Sequence, residues 1–146
     1  YFSFAINFQT ISLNLHIMPL ITVLLLSVAP VCVTANIMLA NNLCDIENDI
    51  LVKRYTLPYY LGNRKALSLF AGLYYFTYFA TIVMVILRIL SPVCLLSLLT
   101  VFLVQKNINK FIKKQDKATT FILAVKNFVI IMATNSLMIF ISGLFH

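Results

Sequence analysis

The chain holds only four acidic residues, and three of them, Asp45, Glu47 and Asp49, fall within one run of five. The run reads Asn41-Asn42-Leu43-Cys44-Asp45-Ile46-Glu47-Asn48-Asp49. Asp45 and Asp49 are four residues apart, so on a helix their carboxylates are neighbours that repel each other by roughly a few tenths of a kcal/mol. A hard divalent cation relieves that repulsion. Mg²⁺ takes oxygen ligands, keeps several waters, and is held by one or two carboxylates plus substrate phosphates. The spacing therefore suits a Mg²⁺ ion bridged to a diphosphate. Asn41 and Asn42 can add amide contacts to water or phosphate oxygen. Lys53 and Arg54 follow within reach of the anion, and a guanidinium binds phosphate oxygens in bidentate fashion. If the helix continues past Ala40, then Asn41, Asp45 and Asp49 share a face. Glu47 projects away from that face and reads as a solvated residue.

The surroundings of this run decide what it can be. Hydrophobic residues make up 62% of the chain and charged residues 10%, with a mean hydropathy of +0.98. Soluble domains are about 45–50% apolar and about 25% charged, so this is a polytopic membrane protein. The net charge of +7 would suggest nucleic acid in a soluble protein. Here the basic residues fall between apolar runs, which fits topology signals and excludes nucleic acid as a partner. Cys32, Cys44 and Cys94 have no metal-ligand or CxxC spacing, and His16 and His146 lie at opposite ends of the chain. Neither a zinc site nor a Cys/His nucleophile can be assembled from that inventory.

The expected architecture is all-α, a transmembrane helix bundle. Spans are expected at about 17–40, 66–89, 90–104 and 119–145, with a polar motif loop at 41–65. The chain does not begin with Met, and residues 1 to about 8 read as the last turns of a membrane helix already under way, so a partial chain is expected. Gln9 to His16 reads as a short loop. Pro30 is expected to kink the first span. The third span is short and needs its flanks or local bilayer thinning. Gln105–Lys117, with five lysines, reads either as an amphipathic interfacial helix or as a plain basic loop. The loop at 41–65 carries Lys53, Arg54, Arg64 and Lys65, and two crossings separate it from the basic stretch at 105–117. The positive-inside rule then places both in the cytoplasm, with the acidic run at the cytoplasmic mouth of a span in the cell membrane.

At Asn41–Asp49, followed by Lys53-Arg54-Tyr55-Thr56-Leu57 and Leu61-Gly62, the sequence resembles the UbiA superfamily of intramembrane aromatic prenyltransferases. It is most similar to the 1,4-dihydroxy-2-naphthoate polyprenyltransferases of menaquinone synthesis, which typically show NNxRDxxxD, then a glycine-lysine loop, then Arg-Leu-Gly. Cys44, Lys53 and Tyr60 depart from that pattern, at the positions of the first Arg, the loop glycine and the later Arg. The resemblance implies the C-terminal part of a nine-helix bundle, whose missing N-terminal half carries a first aspartate motif of the NDxxDxxxD type. It implies Mg²⁺-dependent transfer of a polyprenyl group from polyprenyl diphosphate to a dihydroxynaphthoate-like aromatic acceptor. Asp45 and Asp49 would bind the metal, Asn41 and Asn42 would orient, and Arg54 with Lys53 behind it would meet the anion. The alternatives are another acceptor of the same superfamily, an inactive or truncated membrane scaffold, and a secondary transporter. A transporter would carry its acids near the midplane on broken helices.

Overall fold

The computed structural model describes residues 4–7, 10–13 and 17–144. The element order is β1 (Phe4–Asn7), β2 (Thr10–Leu13), α1 (Ile17–Cys44), α2 (Ile46–Leu51), α3 (Leu57–Leu61), α4 (Asn63–Ile86), a 3₁₀ segment (Pro92–Thr100), α5 (Val101–Lys113) and α6 (Phe121–Leu144). Four helical stretches are long and apolar enough to cross a membrane: Pro19–Cys44, Asn63–Ile86, Pro92–Lys113 and Phe121–Gly143. The chain is thus a multi-pass helical membrane protein.

The start of the chain corrects the expectation of a helix end. β1 and β2 form an antiparallel hairpin, with Phe4 opposite Leu13 and Asn7 opposite Thr10. Thr10-Ile11-Ser12-Leu13 alternates polar and apolar residues and contains two β-branched side chains, a period-2 pattern that favours a strand.

Each long helix buries a stripe and leaves the rest of its apolar surface outward. On α1 the buried positions are Ala29, Cys32, Val33, Asn36, Leu39, Ala40 and Leu43, which recur every three or four residues. Val31 and Met38 on the other face are exposed, as are Phe76 of α4, Phe102 of α5 and Phe140 of α6. Lipid chains are as apolar as these side chains, so association rests on close packing and interhelical hydrogen bonds. The main core joins Val33, Leu39, Ala40 and Leu43 of α1 to Phe70 and Tyr74 of α4, Ile108 and Phe111 of α5, and Ala124 and Ile131 of α6. Polar side chains tie the same helices together. Asn36 Nδ2 donates to the Phe70 carbonyl at 3.0 Å. Asn107 Nδ2 donates to Asn127 Oδ1 at 2.7 Å, and the Tyr78 and Thr100 hydroxyls share a bond of 2.8 Å. Asn135 and Ser136 line a small cavity of about 120 Å³ beside Pro30, through which α1 continues.

The third crossing is longer than its apolar run suggests. The 3₁₀ segment leads directly into α5, and α5 runs on to Lys113, so the basic stretch is mostly helix. At about 2.0 Å rise per 3₁₀ residue and 1.5 Å per α residue, Pro92–Lys113 extends about 37 Å, enough for a hydrocarbon core of about 30 Å. Ser97 and Thr100 each donate a hydroxyl to the carbonyl three residues back, at 2.7 Å, which supports the tighter winding. On α5 the residues Val104, Ile108 and Phe111 are buried, while Lys106, Lys110 and Lys113 face out.

Candidate functional site

α1 runs four residues beyond Ala40 and ends at Cys44, so Asn41 and Asn42 lie in its last turn. The chain bends at Asp45 and turns at once into α2. The helical ladder survives the bend, because Asp45 N–H donates to the Asn41 carbonyl at 3.1 Å and Asp49 N–H to the Asp45 carbonyl at 2.8 Å. Asn41, Asp45 and Asp49 therefore rise at one-turn intervals. Asp49 is buried, whereas Glu47 is exposed.

α2 closes with a turn that explains the residue after it. Lys53 N–H donates to the Ile50 carbonyl at 3.0 Å, and Arg54 N–H donates to the Asp49 carbonyl at 2.7 Å. These two bonds form a Schellman motif, whose penultimate residue must adopt a left-handed backbone. Lys53 does so with φ 59°. This is the position where the sequence pattern expects glycine, and the geometry supplies the reason for that glycine. The turn throws Arg54 back over α2, with its guanidinium 3.8 Å from Asp49 Oδ1.

Asn41, Asn42 and Arg54 line one cleft of about 330 Å³, with Ile37, Met38 and Phe121 as its apolar wall. Asp45 and Asp49 do not line it, although Asp49 pairs with the cleft residue Arg54. Lys53 is exposed and does not line the cleft. Cys44 lines a different cavity, with Glu47, Asn48, Asn63 and Gln115, so it does not occupy the Asn41/Asn42/Arg54 face. Tyr60 is exposed, next to an aromatic group in which Tyr55 and Tyr59 lie 4.7 Å apart and Tyr59 meets Tyr60 edge-on at 5.3 Å.

The sequence reading missed Lys117. Its ammonium donates to Asp45 Oδ2 from the loop between α5 and α6, seventy-two residues away. Phe121, in the cleft wall, was missed as well. Nothing in the local sequence distinguishes Lys117 from the other lysines of its stretch. The loop that presents it is tightly organised around Asp116. The Asp116 carboxylate accepts from Ala118 N–H at 2.8 Å and Thr119 N–H at 3.3 Å, and pairs with Lys114 at 2.8 Å. The Lys114 ammonium and the Ala118 amide together hold the Asp116 carboxyl below its usual range. The ion pair also shows that the α1–α2 junction and the loop after α5 meet at one end of the bundle.

A family model described as the UbiA prenyltransferase family matches residues 2–141. The chain belongs to the UbiA prenyltransferase family. It matches no curated protein and no solved structure. Membership gives this membrane-embedded chain a general prenyltransferase character and raises the question of the family's metal. Among the described residues no group of three His, Cys, Asp or Glu side chains converges to hold a metal alone. Asp45 and Asp49, one backbone turn apart and each paired with a cation, carry carboxylate oxygens, and Asn41 and Asn42 in the preceding turn carry amide oxygens, which are donors of the chemical type that Mg²⁺ takes beside phosphate and water oxygens.

Proposed function

We propose that this UbiA-family chain transfers a polyprenyl group from polyprenyl diphosphate to an aromatic acceptor of the 1,4-dihydroxy-2-naphthoate type, with Mg²⁺. The observation that carries this reading is the convergence of Asn41, Asn42 and Arg54 on one cleft, beside the Asp45–Asp49 turn. Asp45 and Asp49 would hold Mg²⁺, which when bound neutralises the departing diphosphate as a Lewis acid. Arg54 binds the diphosphate oxygens, and the Lys53 charge behind it adds to the field. The Asn41 and Asn42 amides orient the diphosphate from the last turn of α1. Ile37, Met38 and Phe121 keep water from the allylic carbon and lead toward the lipid-facing surface, where the prenyl tail can lie. The allylic C–O bond breaks with its electron pair leaving on the diphosphate. The acceptor ring carbon supplies the pair for the new C–C bond, and the ring loses its carboxylate as carbon dioxide.

The resemblance assigns a second set of aspartates, of the NDxxDxxxD type, to an N-terminal half. The excess of basic residues at the motif end, Lys53, Arg54, Arg64 and Lys65 with the lysines of α5 and its loop, supports a cytoplasmic placement in the cell membrane.

The test is prenyl transfer by the natural full-length protein in membranes. Asp45→Ala and Asp49→Ala should each lower Mg²⁺-dependent transfer by about 10²-fold or more, the scale of losing one electrostatic contact to a developing anion. Unchanged transfer in both variants would remove the two aspartates from the site.

A further inference from the structure

One charged contact at the site belongs to neither of its sequence segments. Lys117 reaches Asp45 from the α5–α6 loop, and the loop is built so that this is the carboxylate it meets. The nearest alternative in sequence is Asp116, whose carboxylate is already taken by Lys114 and the Ala118 and Thr119 amides. Thr120 Oγ1 accepts from Asp116 N–H at 2.8 Å, and Gln115 Nε2 donates to the Phe111 and Ile112 carbonyls at the end of α5. Both ends of the loop are thereby fixed, and Lys117 projects from it toward α2. The Asp45 side chain is 17% exposed, so its charge is partly withdrawn from water, while that of Lys117 is 56% exposed and free to swing away.

We propose that Lys117 is a resident counter-ion of Asp45 that a divalent cation must displace, so that ammonium and metal compete for one carboxylate. This rests on the reading of Asp45 as a metal ligand. A lysine ammonium held against a ligand carboxylate opposes a second cation there, just as an opposite charge at about 4–6 Å holds a proton off a carboxylate. The pair is half in solvent, and screening moderates the effect. A purely structural ion pair has a different signature: its loss loosens the loop and leaves metal affinity equal or weaker.

The experiment is Mn²⁺ binding to the purified full-length protein without substrate, read from the electron paramagnetic resonance of free Mn²⁺. Lys117→Gln should tighten Mn²⁺ about three- to tenfold, on the scale of one partly screened charge at contact distance. Lys117→Arg should bind as the natural protein does. In an Asp45→Asn background, Lys117→Gln should have no further effect. Lys117→Gln binding equal to or weaker than wild type overturns the competition while leaving the metal site standing. Binding in neither protein removes the metal site and the competition together.

Discussion

Gly62 joins α3 to α4 with φ 76° and ψ 152°, a backbone region that only glycine enters without strain. A methyl group built on it meets no heavy atom within 4 Å, so Gly62→Ala meets no steric neighbour and acts through the backbone alone. Holding alanine in that conformation costs about 1–3 kcal/mol. Alanine returns about 0.4–1 kcal/mol by restricting the unfolded chain, which leaves a net loss of roughly 0–2.6 kcal/mol, about 1.3 kcal/mol at mid-range. Gly72 provides the matched control. It lies inside α4, is exposed, and a methyl group there also meets nothing within 4 Å. Gly72→Ala should be neutral or stabilising by up to about 1 kcal/mol, because glycine is the poorer helix former. The assay is equilibrium unfolding of the purified protein in mixed detergent micelles, with both variants measured beside the natural protein. The two midpoints should move apart by about 2 kcal/mol, a factor of roughly 30 in the folding equilibrium. Midpoints that move together, or a Gly62→Ala variant as stable as the natural protein, would refute the backbone explanation.

Two further outcomes follow from the loops around the site. Lys53→Gly should raise the unfolding midpoint by about 0.5–1 kcal/mol, since relief of a left-handed side chain, about 1–2 kcal/mol, exceeds the entropy of glycine. Lys53→Ala removes the same charge without the relief and should leave the midpoint lower than Lys53→Gly; equal midpoints would assign the effect to charge. Asp116 has its carboxyl pulled below the usual range by Lys114 and the Ala118 amide, so its contribution to the loop is present above the ordinary carboxylate range. That contribution is lost as pH falls through its depressed folded value. Hydrogen-exchange protection of the Ala118 and Thr119 amides should therefore drop below about pH 4 in the natural protein and be low and flat with pH in Asp116→Asn. A parallel pH dependence in the two proteins would count against this role.

Four apolar stretches long enough to cross a membrane and the one-turn spacing of Asn41, Asp45 and Asp49 were legible in the sequence. Long apolar stretches report their own transfer free energy, and four-residue spacing reports a helical face, so both properties are local. Gly62 was legible as a break for the same reason. The glycine-like position of Lys53 was legible only as a departure from a pattern, and the Schellman turn supplies its cause. The helical continuation of 105–113 was less legible, because its lysines lower the apparent hydrophobicity while Val104, Ile108 and Phe111 carry the packing. The hairpin at 4–13 replaced an expected helix end, since short apolar runs do not distinguish strand from helix until a partner strand is in register. Tertiary structure alone decided which lysine meets Asp45, that Cys44 turns away from the Asn41/Asn42 face, and that Phe121 closes the cleft. Those contacts depend on how α1, α5 and α6 pack against one another, and packing joins residues whose separation along the chain carries no signal of their meeting.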